Sequence, residues 1–321
     1  MRKRKLGLFC LFALAMLLSG DASFSQEKGK EFSITPFFQE ITLGQGQKEA
    51  VFSLTVRNTT DTPATFRISV LDFGALDESG GVAFLGAGDP ERKYGLASWM
   101  NLEKDAIVLN PGEKQNIRVL VENKESLSPG GHYAAVFFKM ENDKSSSGGN
   151  APTVAFKPSF ASLIFARKLG GEIYKLELKG QELQKRFLGN PFEAKLRFQN
   201  TGNVHIVPRG VVKIADPFGR EISRGIINTG STAILPETFR IFPVPLKETA
   251  AAFIPGRYSM SIDYRYDGQD NFSSEGIKIF LVPPLFVSGI FILLAVAIVY
   301  FIFIGKIKIG NGIFNRKKRW L

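Results

Sequence analysis

The stretch EAVFSLTVRNTTDTPATFRISV, Glu49 to Val70, reads as two strands and the turn between them. Phe52, Leu54 and Val56 alternate with Ser53, Thr55 and Arg57, and Phe66, Ile68 and Val70 alternate with Arg67 and Ser69. Successive side chains on a strand point to opposite faces, so a period of two marks a half-buried sheet. NTTDTP, Asn58 to Pro63, supplies turn formers, and Pro63 lacks the amide that a ladder needs. The alternation returns in Ile117, Val119 and Val121 and again from Tyr133 to Met140, whereas no stretch between the two termini sustains a capped helical pattern. The expected class is all-β.

The second half repeats this grammar. Ala194, Leu196 and Phe198 lead into QNTGN, Gln199 to Asn203, as the earlier strand leads into RNTTD. LNPGEKQNIRVLVE, Leu109 to Glu122, has a counterpart in LPETFRIFPVPL, Leu235 to Leu246, and PGGHYAAVFF, Pro129 to Phe138, has one in PGRYSMSIDY, Pro255 to Tyr264. Tyr133 and Tyr258 lie 125 residues apart, as do Pro111 and Pro236, so these pairs are expected to be equivalent. In the second copy Tyr258, Met260, Ile262 and Tyr264 are expected to face the core, with Ser259, Ser261, Asp263 and Arg265 facing water. Each copy offers about seven strands, the size of an immunoglobulin-like sandwich. Two tandem immunoglobulin-like β-sandwiches follow, over residues 31–169 and 171–282, divided at Gly170-Gly171.

The first copy carries roughly 17 extra residues, counted from the 142-residue offset of Asn58 and Asn200 against the 125 found elsewhere. They fall in FGALDESGGVAFLGAGDPERKYGLASW, Phe73 to Trp99, expected to be loop. Asp77, Glu78, Asp89 and Trp99 are its ligand-binding candidates, because long loops on rigid sandwiches carry binding. The simpler reading, which is preferred, is a solvated excursion with Trp99 capping the core. The acidic spacing does not follow the twelve-residue pattern of an EF-hand, so no metal is expected there. NDKSSSGGNAP, Asn142 to Pro152, is flexible by composition and is placed inside the first sandwich, between its last two strands.

Both termini carry the membrane signals. Met1 to Lys5 is basic, Leu6 to Leu18 is apolar and small residues follow, the layout of a cleavable signal peptide over 1–25, cut after Ala22 or Ser25. The one cysteine, Cys10, lies in that segment, so the exported chain is expected to hold none. Residues 285–304, LFVSGIFILLAVAIVYFIFI, have no charged side chain and suffice to cross about 30 Å of hydrocarbon as a helix. The following tail, 305–321, holds Lys306, Lys308, Arg316, Lys317, Lys318 and Arg319. Of the net charge of +11, four charges sit in Arg2, Lys3, Arg4 and Lys5 and six in the tail, leaving the exported part nearly neutral. Basic residues beside a span stay in the cytoplasm, so the tail is read as a topological anchor and not as an arm for nucleic acid. A single-pass cell-membrane protein with its sandwiches outside is the expected localisation.

Residues for catalysis are scarce. His132 and His205 are the only histidines, neither has a second histidine at ligand spacing, and no nucleophile elbow, phosphate loop or dinucleotide fingerprint is present. Asp263 and Asp267 are explained by an exposed strand face, and Asn58-Thr59-Thr60 and Asn271-Phe272-Ser273 match a glycosylation sequon only by short pattern. No enzyme activity, cofactor or metal is expected.

FSITPFFQEITLGQGQKEAVFSLTVRNTTDTPATFRISV, Phe32 to Val70, with LNPGEKQNIRVLV and PGGHYAAVFF, resembles the first domain of Gram-positive WxL-interacting surface proteins. EIYKLELKG, Glu172 to Gly180, KLRFQNTGNVHIVPRGVVKIADPFGREI, Lys195 to Ile222, and PETFRIFPVPL resemble their second. The resemblance implies a bacterial surface adaptor whose first domain contacts peptidoglycan or another wall polymer and whose second contacts a surface-protein partner. An alternative from another class is a structural subunit assembled through the helix, in which Ser288, Gly289, Ala295 and Ala297 allow close packing.

Overall fold

The computed structural model describes residues 32–141, 159–185 and 190–317. The expected signal peptide over 1–25, the Asn142–Pro152 segment, Lys318 and Arg319 lie outside these residues. Ten strands build the first sandwich: β1 (Phe32–Thr35), β2 (Phe38–Leu43), β3 (Glu49–Asn58), β4 (Ala64–Ala75), β5 (Val82–Ala87), β6 (Met100–Leu102), β7 (Ala106–Leu109), β8 (Lys114–Glu122), β9 (Gly130–Glu141) and β10 (Ser159–Lys168). Eight build the second: β11 (Leu176–Lys185), β12 (Pro191–Asn200), β13 (Arg209–Ala215), β14 (Glu221–Ile227), β15 (Phe239–Pro245), β16 (Lys247–Glu248), β17 (Gly256–Arg265) and β18 (Ser273–Leu281). A helix, α1 (Pro284–Lys317), follows. The fold is two tandem immunoglobulin-like sandwiches and one helix long and apolar enough to cross a membrane.

In the first sandwich a sheet of order β1-β3-β8-β6 packs on one of order β2-β10-β9-β4-β5, with β7 beside β4. In the second, β11-β12-β15 packs on β16-β14-β13-β17-β18. The alternating residues meet between the sheets: Leu54, Val56, Phe66, Ile68, Ile117 and Val119 are buried in one core, and Phe198, Tyr258, Met260, Ile262 and Tyr264 in the other. The first copy exceeds seven strands in part because its N-terminal segment splits, β1 pairing with β3 in one sheet and β2 with β10 in the other, and because the insertion adds β5; the second reaches eight with the two-residue β16.

The repeat extends to hydrogen bonds. Fully buried Asn58, at the end of β3, donates to the carbonyls of Thr62 (2.8 Å) and Leu109 (3.0 Å) and accepts from the Thr60 amide (2.9 Å). Asn200, at the end of β12, does the same with Val204 (2.7 Å), Ile234 (2.9 Å) and Gly202 (2.9 Å). Each side chain thus closes a turn that has no ladder of its own. The engaged Asn58 amide also removes the first sequon as an accessible site in the folded chain. The tyrosine equivalence needs correction by one residue. Tyr258 lies in the core, whereas Tyr133 lies on the outer face of its sheet, and His132 takes the inward position. With a side-chain period of two, a slip of one residue exchanges the faces.

The insertion at Phe73–Trp99 is not all loop. β4 continues to Ala75 and β5 returns beside it, with the Leu76 amide bonded to the Gly81 carbonyl at 2.9 Å. ALDESGG is therefore a hairpin tip, in which Gly80 takes φ +93°. The remainder is tied to the core by the buried Asp72 carboxylate, which accepts from the amides of Leu96 (2.8 Å) and Ala97 (2.7 Å) and from Arg92.

Candidate functional site: the cleft between the sandwiches

The outer face of the β2-β10-β9-β4-β5 sheet is apolar as well as the inner one. Phe73, Tyr133, Ala135 and Phe165 form a small second core there, closed by Ala233 and Leu235 of the second sandwich. At its centre the nearly fully buried His205 has Nε2 at 3.1 Å from Glu40 Oε1 and Nδ1 at 3.4 Å from the Tyr133 hydroxyl. Its ring stands edge-on to Phe165 and Tyr133, with centroids 5.1 and 5.8 Å away. Arg167 donates to the same Glu40 oxygen at 2.8 Å. The hydrogen bond from His205 holds the Glu40 carboxyl below its ordinary range, opposed by burial and assisted by the charges of His205 and Arg167. Burial drives the Tyr133 phenol well above its usual value.

Two further contacts set the relative position of the sandwiches. Asn203, in the QNTGN turn, accepts from the Gly131 amide at 2.8 Å through its carbonyl and from the Ile173 amide at 2.6 Å through Oδ1, and donates to the Gly171 carbonyl at 2.8 Å. On the other side the hairpin tip grips β12 and β15. Arg197 donates to Glu78 from Nε (2.7 Å) and from the terminal nitrogen (2.5 Å), and the Glu78 carbonyl accepts from the Ile241 amide at 2.7 Å. Lys93 and Glu237 pair beside it.

Between these contacts lies a cleft of about 460 Å³. Its walls include Phe37 just before β2 and Phe38 at its start, Phe73 and Val82 of the hairpin, Leu163 and Phe165 of β10, and residues 230–235 and 238–240. A volume of this order, apolar with a few polar groups, suits a small ligand or a pair of side chains. Glu40, Asp77, Arg209 and Arg240 supply the charge. Arg240 is half-buried, donates to the Ala233 carbonyl at 2.7 Å and makes no ion pair among the described residues. Burial lowers its pKa. Among the described residues β2 is the edge of its sheet. Because the Leu163 amide bonds to the Phe37 carbonyl in a parallel ladder, Phe38, Glu40 and Thr42 turn their main-chain groups away from β10.

The four loop candidates separate. Asp77 lines the cleft, its carboxylate accepting from the Ser79 hydroxyl (2.6 Å) and amide (2.8 Å), bonds that hold its pKa low. Glu78 is the clasp between the sandwiches, its pKa lowered by Arg197. Asp89 accepts from the Glu91 amide at 3.0 Å in a turn that does not line the cleft. Trp99 packs on the first core with the Lys124 ammonium 5.9 Å from its ring. Sequence reasoning missed Phe37, Phe38 and Arg240, and gave His205 no role. The Phe37-Phe38 doublet was a usable signal, since two adjacent aromatics on a strand cannot both enter one core. Of the basic anchor residues, Lys306, Lys308, Arg316 and Lys317 fall within the range of α1.

No family model matches the chain, and no curated protein matches it. Among solved structures it is similar to a chain described under "Chaperone-tip adhesin complex is vital for synergistic activation of CFA/I fimbriae biogenesis", at 13% identity over 79% of this chain and 100% of that one, with a TM-score of 0.42. It is also similar to the class 5 fimbriae chaperone CfaA, at 12% identity over 78% and 99% of the two chains with a TM-score of 0.38. A chain from the complex of Salmonella enterica SafA pilin with the SafB chaperone shares 15% identity over 78% and 98%, with a TM-score of 0.35. The fold assignment rests on the sheets described above.

Proposed function

We propose that the chain is a non-enzymatic adaptor of the cell surface, of the WxL-interacting type, anchored by α1 with its sandwiches outside and its basic end in the cytoplasm. It seats an extended segment of a surface-protein partner along β2 and in the cleft. The observation that carries this reading is the β2 edge beside the cleft, without a further strand among the described residues: Phe37 is 74% exposed, Phe38 is exposed next to it, and the main-chain groups of Phe38, Glu40 and Thr42 turn outward, the Glu40 carbonyl covered by the Gln39 side-chain amide at 2.8 Å. Added strands bind through such groups and gain specificity from side-chain pockets next to them. The anchoring part is supported by Pro284–Ile302, 19 residues of mean hydropathy 2.9 with none of the window buried against the rest of the chain, and by the basic residues that follow it.

The test is a photo-crosslinking residue at Phe37 in the full chain on intact cells, with Val108, exposed elsewhere on the first sandwich, as the control position. A protein adduct of one mass at Phe37 and not at Val108 is expected. An adduct that lysozyme digestion removes would instead identify peptidoglycan, as the family resemblance implies, and equal labelling at both positions would refute a site on β2.

A further inference from the structure

The end of the second sandwich from which α1 leaves is unusually apolar for a surface. β18 stops at Leu281, paired with Gly256 at the start of β17, and α1 begins at Pro284. The turn after β13 lies at the same end, since a Cβ on Gly256 would stand 3.3 Å from Pro217. So does the start of β12, because Lys185, paired with Pro191, donates to the Phe280 carbonyl at 3.3 Å. This end exposes Phe192, Phe218, Phe253, Ile254 and Phe280, and Phe218 is 79% exposed at the tip of its turn. The tip is braced: the Asp216 carboxylate accepts from the amides of Phe218 (3.0 Å) and Arg220 (2.9 Å). The Arg220 guanidinium in turn bonds the Ala251 carbonyl at 2.9 Å and lies 5.5 Å from the Phe253 ring. Large side chains held out into water by an ordered scaffold call for a covering surface.

We infer that this end of the second sandwich rests on the outer surface of the lipid bilayer, with Phe218, Phe253 and Ile254 inserted at the headgroup level. The inference rests on the reading of α1 as a membrane span. Three chain steps separate Leu281 from Pro284, a reach of about 10 Å at most. Phe253 and Ile254 run beyond Gly256 by the same two or three residues that bring the chain past Leu281 to the helix. The interfacial layer on each side of the hydrocarbon is roughly 5–7 Å deep, so residues projecting this far past the strand ends reach it. Aromatic rings are the side chains that settle at that level.

The test uses the full chain with Cys10→Ser, reconstituted in vesicles of mixed phosphatidylcholine and phosphatidylglycerol and spin-labelled singly through Phe218→Cys, Val108→Cys or Leu293→Cys. Collision rates with oxygen and with a water-soluble nickel chelate report depth. The expected result is a ratio of oxygen to nickel collisions several-fold higher at position 218 than at position 108, and higher still at position 293. A lipid-buried label at 293 with a fully aqueous one at 218 overturns the inference and leaves the anchor intact. An aqueous label at 293 overturns both. Phe218 is too exposed for its replacement to disturb the core, and equal thermal stability of the three labelled chains verifies that the comparison is made between folded proteins.

Discussion

Replacing Asn200 by alanine tests whether the buried asparagine clips hold the sandwiches together. The amide donates to Val204 and Ile234 and accepts from Gly202, all away from water. The Ile234 carbonyl keeps a second donor, the Ile206 amide at 3.0 Å, so truncation strips the Val204 carbonyl and the Gly202 amide of the bonds described for them. At about 1–3 kcal/mol for each of the two buried groups left unpaired, Asn200→Ala is expected to lose roughly 2–6 kcal/mol. That is a large part of the stability of a single domain, about 5–15 kcal/mol. Asn200→Asp keeps the acceptor for Gly202 but turns a carboxylate oxygen towards two carbonyls in a buried site, and is expected to be worse than alanine. The assay is urea unfolding of the full chain followed by hydrogen exchange in peptides covering β12 and β15, which assigns the loss to the second sandwich. Asn58→Ala, the equivalent change in the first, moves the loss to β3 and β8. A midpoint unchanged on Asn200→Ala, or an aspartate better tolerated than alanine, would refute the reasoning.

Three other outcomes follow from the contacts between the sandwiches. Because the folded-state pKa of Glu40 is depressed, its contribution to docking is present above its ordinary value of 4.5 and is lost as pH falls below that towards the folded value. Glu78 and Glu237 are also held low and titrate in the same direction, so the part of the acid-induced separation missing from Glu40→Gln, read by paired spin labels on the two sandwiches, isolates Glu40. Glu78→Ala removes the ion pair to Arg197 and should speed hydrogen exchange at the Ile241 amide without changing exchange in either core. Gly80→Ala places a Cβ against the Arg240 guanidinium at a backbone φ of +93°. It should lift the hairpin tip more than Glu78→Ala does, at a backbone strain alone of about 1–2 kcal/mol, measured by the same exchange experiment.

The strands were legible because each core is made by alternation within short windows: Phe66 and Ile68 enter one core and Met260 and Ile262 the other, as the period of two requires. The hairpin tip was not, because Asp77, Ser79 and Gly80 have the composition of any solvated loop. What makes the tip a clasp is Arg197, 119 residues away from Glu78. The cleft was illegible for a related reason. Periodicity tells that Tyr133 and Phe165 share a face, yet not whether that face is wet, covered or half of each. His205 was noted only for lacking a histidine neighbour, and its partner is a glutamate 165 positions earlier.

The one-residue offset between His132 and Tyr258 links the repeat to the cleft. In the second sandwich the Tyr258 hydroxyl donates to the Ile254 carbonyl four residues back, at 2.7 Å, a tyrosine corner internal to the domain. In the first, the inward position belongs to His132, whose Nε2 lies 2.8 Å from the Ser128 carbonyl, also four residues back, while Nδ1 lies 3.1 Å from the Gly95 carbonyl. The imidazole therefore stands between the corner carbonyl and the insertion; burial lowers its pKa, and the neutral ring has one N–H to donate to one of the two. With His132 in the corner position, the adjacent Tyr133 points to the outer face, where its ring packs on Phe165 and Phe73 and its hydroxyl meets His205. The second sandwich, with Tyr258 inward and Ser259 outward at the matching positions, has no aromatic ring at the place of Tyr133. A single exchange of faces on one strand thus separates a self-contained sandwich from one built to dock against a neighbour and hold an apolar cleft open beside the joint.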